Sequence, residues 1–357
     1  MKQVTIILLF TFLPIFVMLN CAQSSKRVRP PVTSINLTTK GPFHTGDEIS
    51  LTIKTKIKQG TFRNTELFFD GKLVLNSDKA DFIFNIQTDK LKVGTHFLKA
   101  IATTSEGSTG ENFSDFLLLS NLIPEKYNYR IINTYPHNIE HFTEGLEIKN
   151  GFLYEGTGQE GSSAIYKIDL STAKIIKEIK LDSNYFGEGI TILNGKLYQL
   201  TYKSQIGFVR DAETFEMIKT WNYKYEQGWG LTNDGKSLIM SDGSEFIYFI
   251  DPESFKEIKK IQVCNNRGVV TNLNELEFIN GQIWANLWTT DTLVKIDSET
   301  GKIIAEIDLT GLLPSTLLNS RSTIDVLNGI AFDNAKNKIY VTGKLWPKLF
   351  EIELVKK

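Results

Sequence analysis

A short motif recurs five times in the carboxy-terminal part of this chain. Its second residue stands at positions 144, 188, 229, 274 and 328, so that successive copies begin 41–54 residues apart. Each copy is followed by a turn and by further short β-type runs, such as Phe152–Gly156, Ala164–Leu170 and Lys174–Leu181 after the first. Four short strands at intervals of about 40 to 50 residues are typical of β-propeller blades. Five copies therefore predict a five-bladed β-propeller.

The fifth copy contains three strands before Lys357, whereas the first four copies contain four. A strand-like segment, Tyr129–Tyr135, precedes the first copy and can complete the fifth blade. That pairing would join the two ends of the ring and remove an exposed sheet edge. The longer fourth interval contains the Leu-rich segment Gly311–Ser322, which we expect to arch over one face. The propeller is thus predicted over residues 127–357.

Residues 32–120 show a different pattern. Short alternating runs such as Ile49–Lys54, Glu66–Phe69 and His96–Ala102 are separated by turn signals such as Asp70-Gly71. About seven short strands in such a length predict an immunoglobulin-like β-sandwich. No cluster of His, Cys or acidic residues stands out there, so we interpret this domain as a spacer or docking module.

The amino terminus carries an apolar run, Val4–Leu19, which is short for a membrane span and typical of a secretion signal. Cys21 after this run resembles the lipobox of bacterial lipoproteins, although that pattern has Gly, Ala or Ser where Asn20 stands. We therefore expect an export signal over residues 1–20, a lipidated Cys21 and a tether over residues 21–31. The protein would be periplasmic or associated with the outer membrane. The alternative is an ordinary export signal cut nearby, or a retained anchor.

Charge and cysteine content exclude several classes of protein. The 40 Lys and Arg residues balance 41 Asp and Glu residues, which leaves no basic field for a nucleic-acid partner. Cys21 and Cys264 provide neither a disulfide framework nor a metal cluster. His137-Asn-Ile-Glu-His141 fits the H-x-x-E-H zinc pattern, but Pro136 precedes it and a strand follows, so we expect a connecting turn instead of a helix. No metal or cofactor is therefore predicted.

The first strand of each propeller blade lines the central axis, so that equivalent repeat positions gather there. The second residues of the five motif copies are two carboxylates, two amides and an indole: Glu144, Glu188, Trp229, Asn274 and Asn328. A purely structural axis is expected to carry small or apolar side chains, whereas this set predicts a polar pocket with an aromatic wall. Filling of the core is the alternative interpretation for any one of the tryptophans.

Five longer strings in the repeat region carry a resemblance to a known family. They are Asp182–Gly189, Gly228–Leu231 with Asp234-Gly235 after it, Leu273–Glu277, Trp284–Trp288 and Thr342–Ile352. These strings resemble the plant and bacterial glutaminyl cyclases, and the likeness extends from about Tyr129 to Leu354. The resemblance implies a metal-free, five-bladed propeller that needs no cofactor. It also implies a glutaminyl-peptide cyclotransferase, which converts the amino-terminal glutamine of peptides or proteins into pyroglutamate with release of ammonia.

By position, the resemblance implies that Glu188 transfers protons and that Asn274 and Lys344 hold the polarised amide. It implies an aromatic substrate wall made of Phe142, Phe186, Trp229 and Trp288. These residue types suit the chemistry, because a carboxylate can take a proton from the α-amine and return it to the leaving nitrogen. An ammonium group and an amide N–H can stabilise the oxyanion between those two steps.

One position departs from the family pattern. The family usually has Gln in the string Phe-Thr-Gln-Gly-Leu, where this chain has Glu144. A second carboxylate near Glu188 would raise the proton affinity of one of the pair, so the role of Glu144 within the substrate-binding set stays open. Tyr202 also stands where the plant proteins tend to carry a tryptophan. The main alternative function is a non-catalytic propeller that binds peptides or glycans; a quinone- or metal-dependent oxidoreductase would lack its ligand cluster.

Overall fold

The computed structural model describes residues 29–318 and 323–357. Within them, regular structure consists of β-strands and one four-residue helix, α1 (Ser315–Leu318). The all-β prediction is therefore confirmed. The predicted export signal and the lipidation site Cys21 lie outside the described residues. No helix in the described part of the chain has the length and apolar character that a membrane crossing requires.

The amino-terminal strands form two sheets, with strand orders β1-β3-β6 and β2-β8-β7-β4-β5. The strands are β1 (Val32–Leu37), β2 (Phe43–His44), β3 (Glu48–Lys56), β4 (Phe62–Phe69), β5 (Lys72–Ser77), β6 (Asp81–Gln87), β7 (Gly94–Thr104) and β8 (Thr109–Leu119). Alternation along β3 turns Ile49, Leu51 and Ile53 to one face. There they pack with Leu67 and Leu98 of the other sheet in a fully buried cluster.

Three separate four-stranded antiparallel sheets follow further along the chain. The first contains β10 (Thr143–Lys149), β11 (Phe152–Thr157), β12 (Ala164–Asp169) and β13 (Lys174–Lys180). The second contains β14 (Gly187–Leu193), β15 (Lys196–Thr201), β16 (Ile206–Asp211) and β17 (Met217–Asn222). The third contains β18 (Leu231–Asn233), β19 (Leu238–Ser241), β20 (Phe246–Ile250) and β21 (Glu257–Gln262). Each sheet corresponds to one copy of the sequence repeat.

The last two copies share one eight-stranded sheet with a strand that precedes the first copy. Its strands, in spatial order, are β22 (Leu273–Ile279), β23 (Gln282–Leu287), β24 (Thr292–Asp297), β25 (Ile303–Asp308), β9 (Glu125–Pro136), β28 (Lys348–Lys356), β27 (Lys338–Gly343) and β26 (Leu327–Asp333). β9 contains the segment expected to pair with the last copy, and it pairs antiparallel with β28. It also pairs parallel with β25, a second partner that the sequence analysis did not anticipate.

The first strands of the five copies pack side by side in a closed circuit. β10 contacts β14, β14 contacts β18, β18 contacts β22, β22 contacts β26, and β26 contacts β10. Glycine permits this close approach, because a Cβ at Gly145 would lie 2.4 Å from the backbone nitrogen of Ile190, and one at Gly230 would lie 2.0 Å from the carbonyl oxygen of Asn274. Glycine follows the second motif residue in four copies, and in three of them, Gly145, Gly189 and Gly230, the neighbouring backbone leaves no room for a Cβ.

The amino-terminal sheets contact the third and fourth copies of the repeat directly. Cys264 is fully buried against Val93 and Leu119, and burial raises the pKa of its thiol to about 12. The backbone N–H of Thr95 donates to the side chain of Gln262 at 2.8 Å. Cys264 is therefore a packing residue.

Candidate active site

A cavity of about 250 Å³ lies where the first strands begin and the second strands end. It brings together all eight residues that the sequence analysis assigned to catalysis or substrate binding: Phe142, Glu144, Phe186, Glu188, Trp229, Asn274, Trp288 and Lys344. Four further residues line it: Tyr202, Thr289, Asp325 and Val326. Of the second residues of the motif copies, only Asn328 does not line the cavity. Its amide donates to the backbone carbonyl of Thr143 at 2.9 Å and to Glu144 Oε2 at 3.3 Å.

Irregularities in the strand ladders aim the motif residues into this cavity. The pairing of β10 with β11 skips Glu144, and the pairing of β14 with β15 skips Glu188 and Gly189. The pairing of β22 with β23 likewise skips Asn274 and Glu275. A bulge turns a side chain out of the regular alternation of a strand. The sequence repeat thus places one bulged, polar residue at the same end of these first strands.

Two carboxyl groups and one ammonium group meet at the floor of the cavity. Nζ of Lys344 lies 2.6 Å from Oε1 of Glu144, and both side chains are buried. The carboxyl group of Glu188 lies beside that of Glu144, close enough to affect its ionisation. Nζ of Lys344 also lies 4.6 Å from the ring centre of Phe142, so that the cation has an aromatic face as a second contact.

Burial and neighbouring charge separate the two carboxyl groups. Burial raises the pKa of Glu188 well above its usual range, and the charge of Glu144 raises it further against the opposing effect of Lys344. Burial also raises the pKa of Glu144, but the ion pair with Lys344 opposes this rise. We therefore assign the negative charge to Glu144 and the shared proton to Glu188 near neutral pH. This geometry agrees with the expectation that a second carboxylate near Glu188 raises the proton affinity of one member of the pair.

Polar atoms without protein partners point to where a ligand binds. Oε2 of Glu188 and Oδ1 of Asn274 are buried and have no hydrogen-bond partner within the described residues. Buried polar atoms in native proteins nearly always have partners, so an unpaired atom in a cavity indicates a missing ligand or water. An amino group and a carboxamide are suitable partners for these two side chains.

Aromatic rings form the wall of the cavity. Trp229 and Trp288 meet edge to face with ring centres 5.4 Å apart, and Phe142 and Phe186 do so at 6.1 Å. Phe186 also packs on Tyr202, at 5.7 Å. Tyr202 follows β15 as Trp288 follows β23 and Lys344 follows β27. Comparing this position across the repeats would have identified Tyr202 as a member of the site.

Two histidines form a buried cluster outside the cavity. As predicted, His137 and His141 stand on a turn between β9 and β10 and not on a helix. Both nevertheless contact the carboxylate of Glu155 in β11, His137 Nε2 at 3.0 Å and His141 Nδ1 at 2.7 Å. The possible ligand atoms of these three residues lie within 4.8 Å of one another, so the cluster could hold a metal ion. The sequence analysis missed Glu155, whose signal is a charged residue inside an otherwise apolar second strand.

Hydrogen bonding gives this cluster an alternative to metal binding. His137 Nδ1 lies 2.6 Å from the carbonyl oxygen of Trp346, so it must donate there, and Nε2 then donates to Glu155 as well. Both ring nitrogens of His137 therefore carry protons. Burial lowers the pKa of His137, but the charge and hydrogen bond of Glu155 outweigh this effect and the pKa is raised. The same contacts lower the pKa of Glu155 despite its burial. A charged His137–Glu155 pair satisfies the cluster without a metal.

The fold and the site together define an all-β enzyme with an acid pair, a lysine and an amide in an aromatic cavity. A family model described as glutamine cyclotransferase matches residues 99–354. The glutaminyl-peptide cyclotransferase of Arabidopsis thaliana is 40% identical over 248 residues, which are 69% of this chain and 77% of that relative. The crystal structure of Myxococcus xanthus glutaminyl cyclase matches with a TM-score of 0.62 and 32% identity, over 66% of this chain and 100% of that one. The chain belongs to the glutamine cyclotransferase family.

Proposed function

We propose that this enzyme cyclises the amino-terminal glutamine of peptides or proteins to pyroglutamate and releases ammonia in the cavity described above. The observation that supports this most directly is the convergence of Glu188, Asn274 and Lys344 inside one aromatic cavity. At about 250 Å³ the cavity is smaller than the usual range of roughly 300–1,000 Å³ for sites that enclose whole small molecules. Its size therefore suits the end residue of a peptide.

Glu188 moves the proton. The α-amine nitrogen attacks the carbon of the side-chain amide, and Glu188 in its ionised form accepts the proton that the amine loses. When the tetrahedral intermediate collapses, Glu188 returns this proton to the departing nitrogen, the old C–N bond breaks and ammonia leaves. The raised pKa of Glu188 brings its proton affinity towards that of an α-amine, about 7.7–8.0, which favours transfer in both directions.

Lys344 and Asn274 stabilise the oxyanion that forms between these two steps. Both side chains are buried, and preorganised donors in a buried site stabilise developing charge more strongly than water does. Glu144 holds the ammonium of Lys344 in place at 2.6 Å and neutralises its charge in the resting site. The departure from the usual glutamine thus provides a counter-ion for the catalytic lysine.

The aromatic residues hold the substrate folded back on itself. Cyclisation requires the amine and the amide carbon of the same residue to approach, which an extended side chain does not do. The walls formed by the pairs Trp229–Trp288 and Phe142–Phe186 exclude water and restrict the glutamine side chain. The entropy cost of folding this side chain back towards the α-amine is therefore met on binding and not in the transition state.

We also propose that residues 127–357 form a five-bladed propeller and that residues 32–120 form an immunoglobulin-like sandwich that acts as a spacer or docking module. The closed circuit of first strands supports the first assignment. The shared core between the two amino-terminal sheets supports the second. We expect the sandwich to separate the propeller from its point of attachment.

Attachment at Cys21 is part of the same proposal: the protein is exported and lipidated there, and it is periplasmic or bound to the outer membrane. The apolar run that ends before Cys21 motivates it. The wild-type protein should sediment with membranes, and Cys21→Ser should release or mislocalise it. A fully soluble periplasmic wild type would contradict lipidation.

The test of the activity is the release of ammonia from a Gln-initiated dipeptide, measured with a coupled assay. The same dipeptide with an acetylated amino group is the control, because it has no nucleophilic amine and should release nothing. If the purified enzyme bound the free dipeptide but released no ammonia, the proposed activity would be wrong and a non-catalytic peptide-binding propeller would be favoured.

A further inference from the structure

Charge is distributed unequally between the floor and the rim of the cavity. Glu144, Glu188 and Lys344 are buried at the floor, whereas Asp325 is exposed. Among the described residues that line the cavity, Asp325 is the one exposed acidic or basic side chain. The floor is neutral overall, because Lys344 balances Glu144 and Glu188 holds a proton. Among the described residues that line the cavity, the charge that remains is therefore that of Asp325.

The backbone holds Asp325 firmly beside the catalytic lysine. Its N–H donates to the carbonyl oxygen of Lys344 at 3.1 Å, and its carbonyl oxygen accepts a hydrogen bond from Trp346 Nε1 at 2.8 Å. One carboxylate oxygen, Oδ1, accepts the N–H of Val326 at 2.7 Å. The carboxylate forms no ion pair with any residue in the described part of the chain. A fixed position and an uncompensated charge are the properties that a recognition residue needs.

We propose that Asp325 is a specificity-determining residue, which favours substrates with lysine or arginine directly after the amino-terminal glutamine and disfavours those with an acidic residue there. The inference rests on the proposed function. If the amino-terminal glutamine occupies the buried floor, the rest of the bound peptide must extend outward through the rim. The side chain of the second peptide residue then passes the exposed carboxylate of Asp325. Asp325 then attracts a cation and repels an anion at this position.

The size of the effect of Asp325 on substrate preference follows from the exposure of its carboxylate. An exposed charge pair changes an equilibrium by about two- to fivefold at most, and attraction and repulsion act in opposite directions on the two substrates. We therefore expect the ratio of kcat/KM for Gln-Lys and Gln-Glu peptides to be about 4 to 25 at low salt, which is the product of the two effects. The ratio should fall towards one at about 1 M salt, where screening extends over only about 3 Å.

The experiment compares three amidated tripeptides, Gln-Lys-Ala, Gln-Ala-Ala and Gln-Glu-Ala, by ammonia release from the full-length enzyme. Asp325→Asn should bring the Lys/Glu ratio close to one, and Asp325→Lys should invert the order. Glu140→Gln is the matched control, since Glu140 is an exposed carboxylate on the turn before β10 that does not line the cavity. This control should keep the wild-type order and salt dependence.

The results separate this inference from the proposed function. A wild type that releases ammonia from all three peptides at equal rates would overturn the inference alone, as would an Asp325→Asn enzyme that kept the wild-type ratio. No ammonia from any peptide would refute the proposed function and the inference with it. The salt series on the wild type decides the question even if the variants fail to fold.

Discussion

Nζ of Lys344 lies 2.6 Å from Oε1 of Glu144, inside a cavity where Glu188 is the only other buried carboxyl group among the described lining residues. The usual family residue at position 144 is glutamine, which is neutral. Glutamate at this position therefore changes the charge of the site by one unit. It pairs with the lysine, and its charge raises the pKa of Glu188. In the proposed mechanism, residue 144 therefore controls the pH at which Glu188 becomes a base.

The first prediction concerns this control. In Glu144→Gln the repulsion from Glu144 is removed and Lys344 becomes available to Glu188. Both changes lower the pKa of Glu188. The acid limb of the kcat/KM profile, followed from about pH 5 to pH 9, should therefore move to lower pH. Activity should persist at neutral pH, because glutamine is the usual residue. An acid limb that stayed in place or moved upward would contradict the assignment of the charge.

The second prediction distinguishes the two carboxylates by turnover. Glu188→Gln keeps the shape and hydrogen-bonding capacity of the side chain but removes the base, so kcat should fall about 10²- to 10⁴-fold. KM should change little, because the aromatic wall is intact. Steady-state ammonia release from the same dipeptide measures both constants. If Glu144→Gln abolished turnover while Glu188→Gln preserved it, the two roles would have to be exchanged.

The third prediction concerns the stability cost of the same residue. Because burial raises the pKa of Glu188, the unfolded chain loses this proton from about pH 4.3 upward while the folded protein keeps it. The unfolded state then binds fewer protons, so the free energy of unfolding decreases as the pH rises towards the folded pKa. Glutamine does not titrate. Glu188→Gln should therefore be more stable than the wild type, by a margin that grows by up to about 1.4 kcal/mol per pH unit.

Urea denaturation at several pH values between about 4 and 8 measures this margin. Glu140→Gln, which removes an exposed carboxylate outside the cavity, is the control. A Glu188→Gln protein with a constant or shrinking margin would mean that Glu188 is already ionised in the folded protein.

The sequence predicted most of the site because the repeat aligns residues that are distant in the chain. Glu144, Glu188 and Asn274 occupy one repeat position, and the bulges at that position direct all three to one cavity. The family resemblance then assigned them different roles, which stay predictions. Without the repeat, nothing in the sequence would have predicted a contact between Glu144 and Lys344.

Other contacts left no such signal in the sequence. Asp325 lies outside the repeat motif and is exposed, so neither periodicity nor burial marks it. The second partner of β9 was equally hidden, since the alternation of a strand reports which face is buried and not which strand pairs with each edge. The Glu155 cluster depends on a turn bringing two histidines onto a neighbouring strand, which a local motif cannot describe.

The fourth prediction concerns metal dependence. Protons and hydrogen bonds already occupy the atoms of His137 and Glu155 that could bind a metal, and no step of the proposed reaction uses one. Activity should therefore survive exhaustive dialysis against a chelator, measured as ammonia release with metal content followed by mass spectrometry. Loss of activity that zinc restored would show that the cluster binds a metal, and His141→Gln would then be expected to abolish the restoration.

The last prediction tests the role of β9. This strand pairs with β28 from Tyr127 to Pro136 and with β25 from Glu125 to Tyr127, so it connects the last two copies of the repeat. A chain that begins at Asn121 keeps β9, whereas one that begins at His137 lacks it and exposes the edges of both partner strands. The shorter chain should melt on the order of 10 °C lower or aggregate. The longer one should keep its cavity and its ammonia release, although the loss of Val93 and Leu119 uncovers Cys264. If the two chains melted at the same temperature, pairing through β9 would contribute nothing to the stability of the ring, and the proposed closure would be wrong.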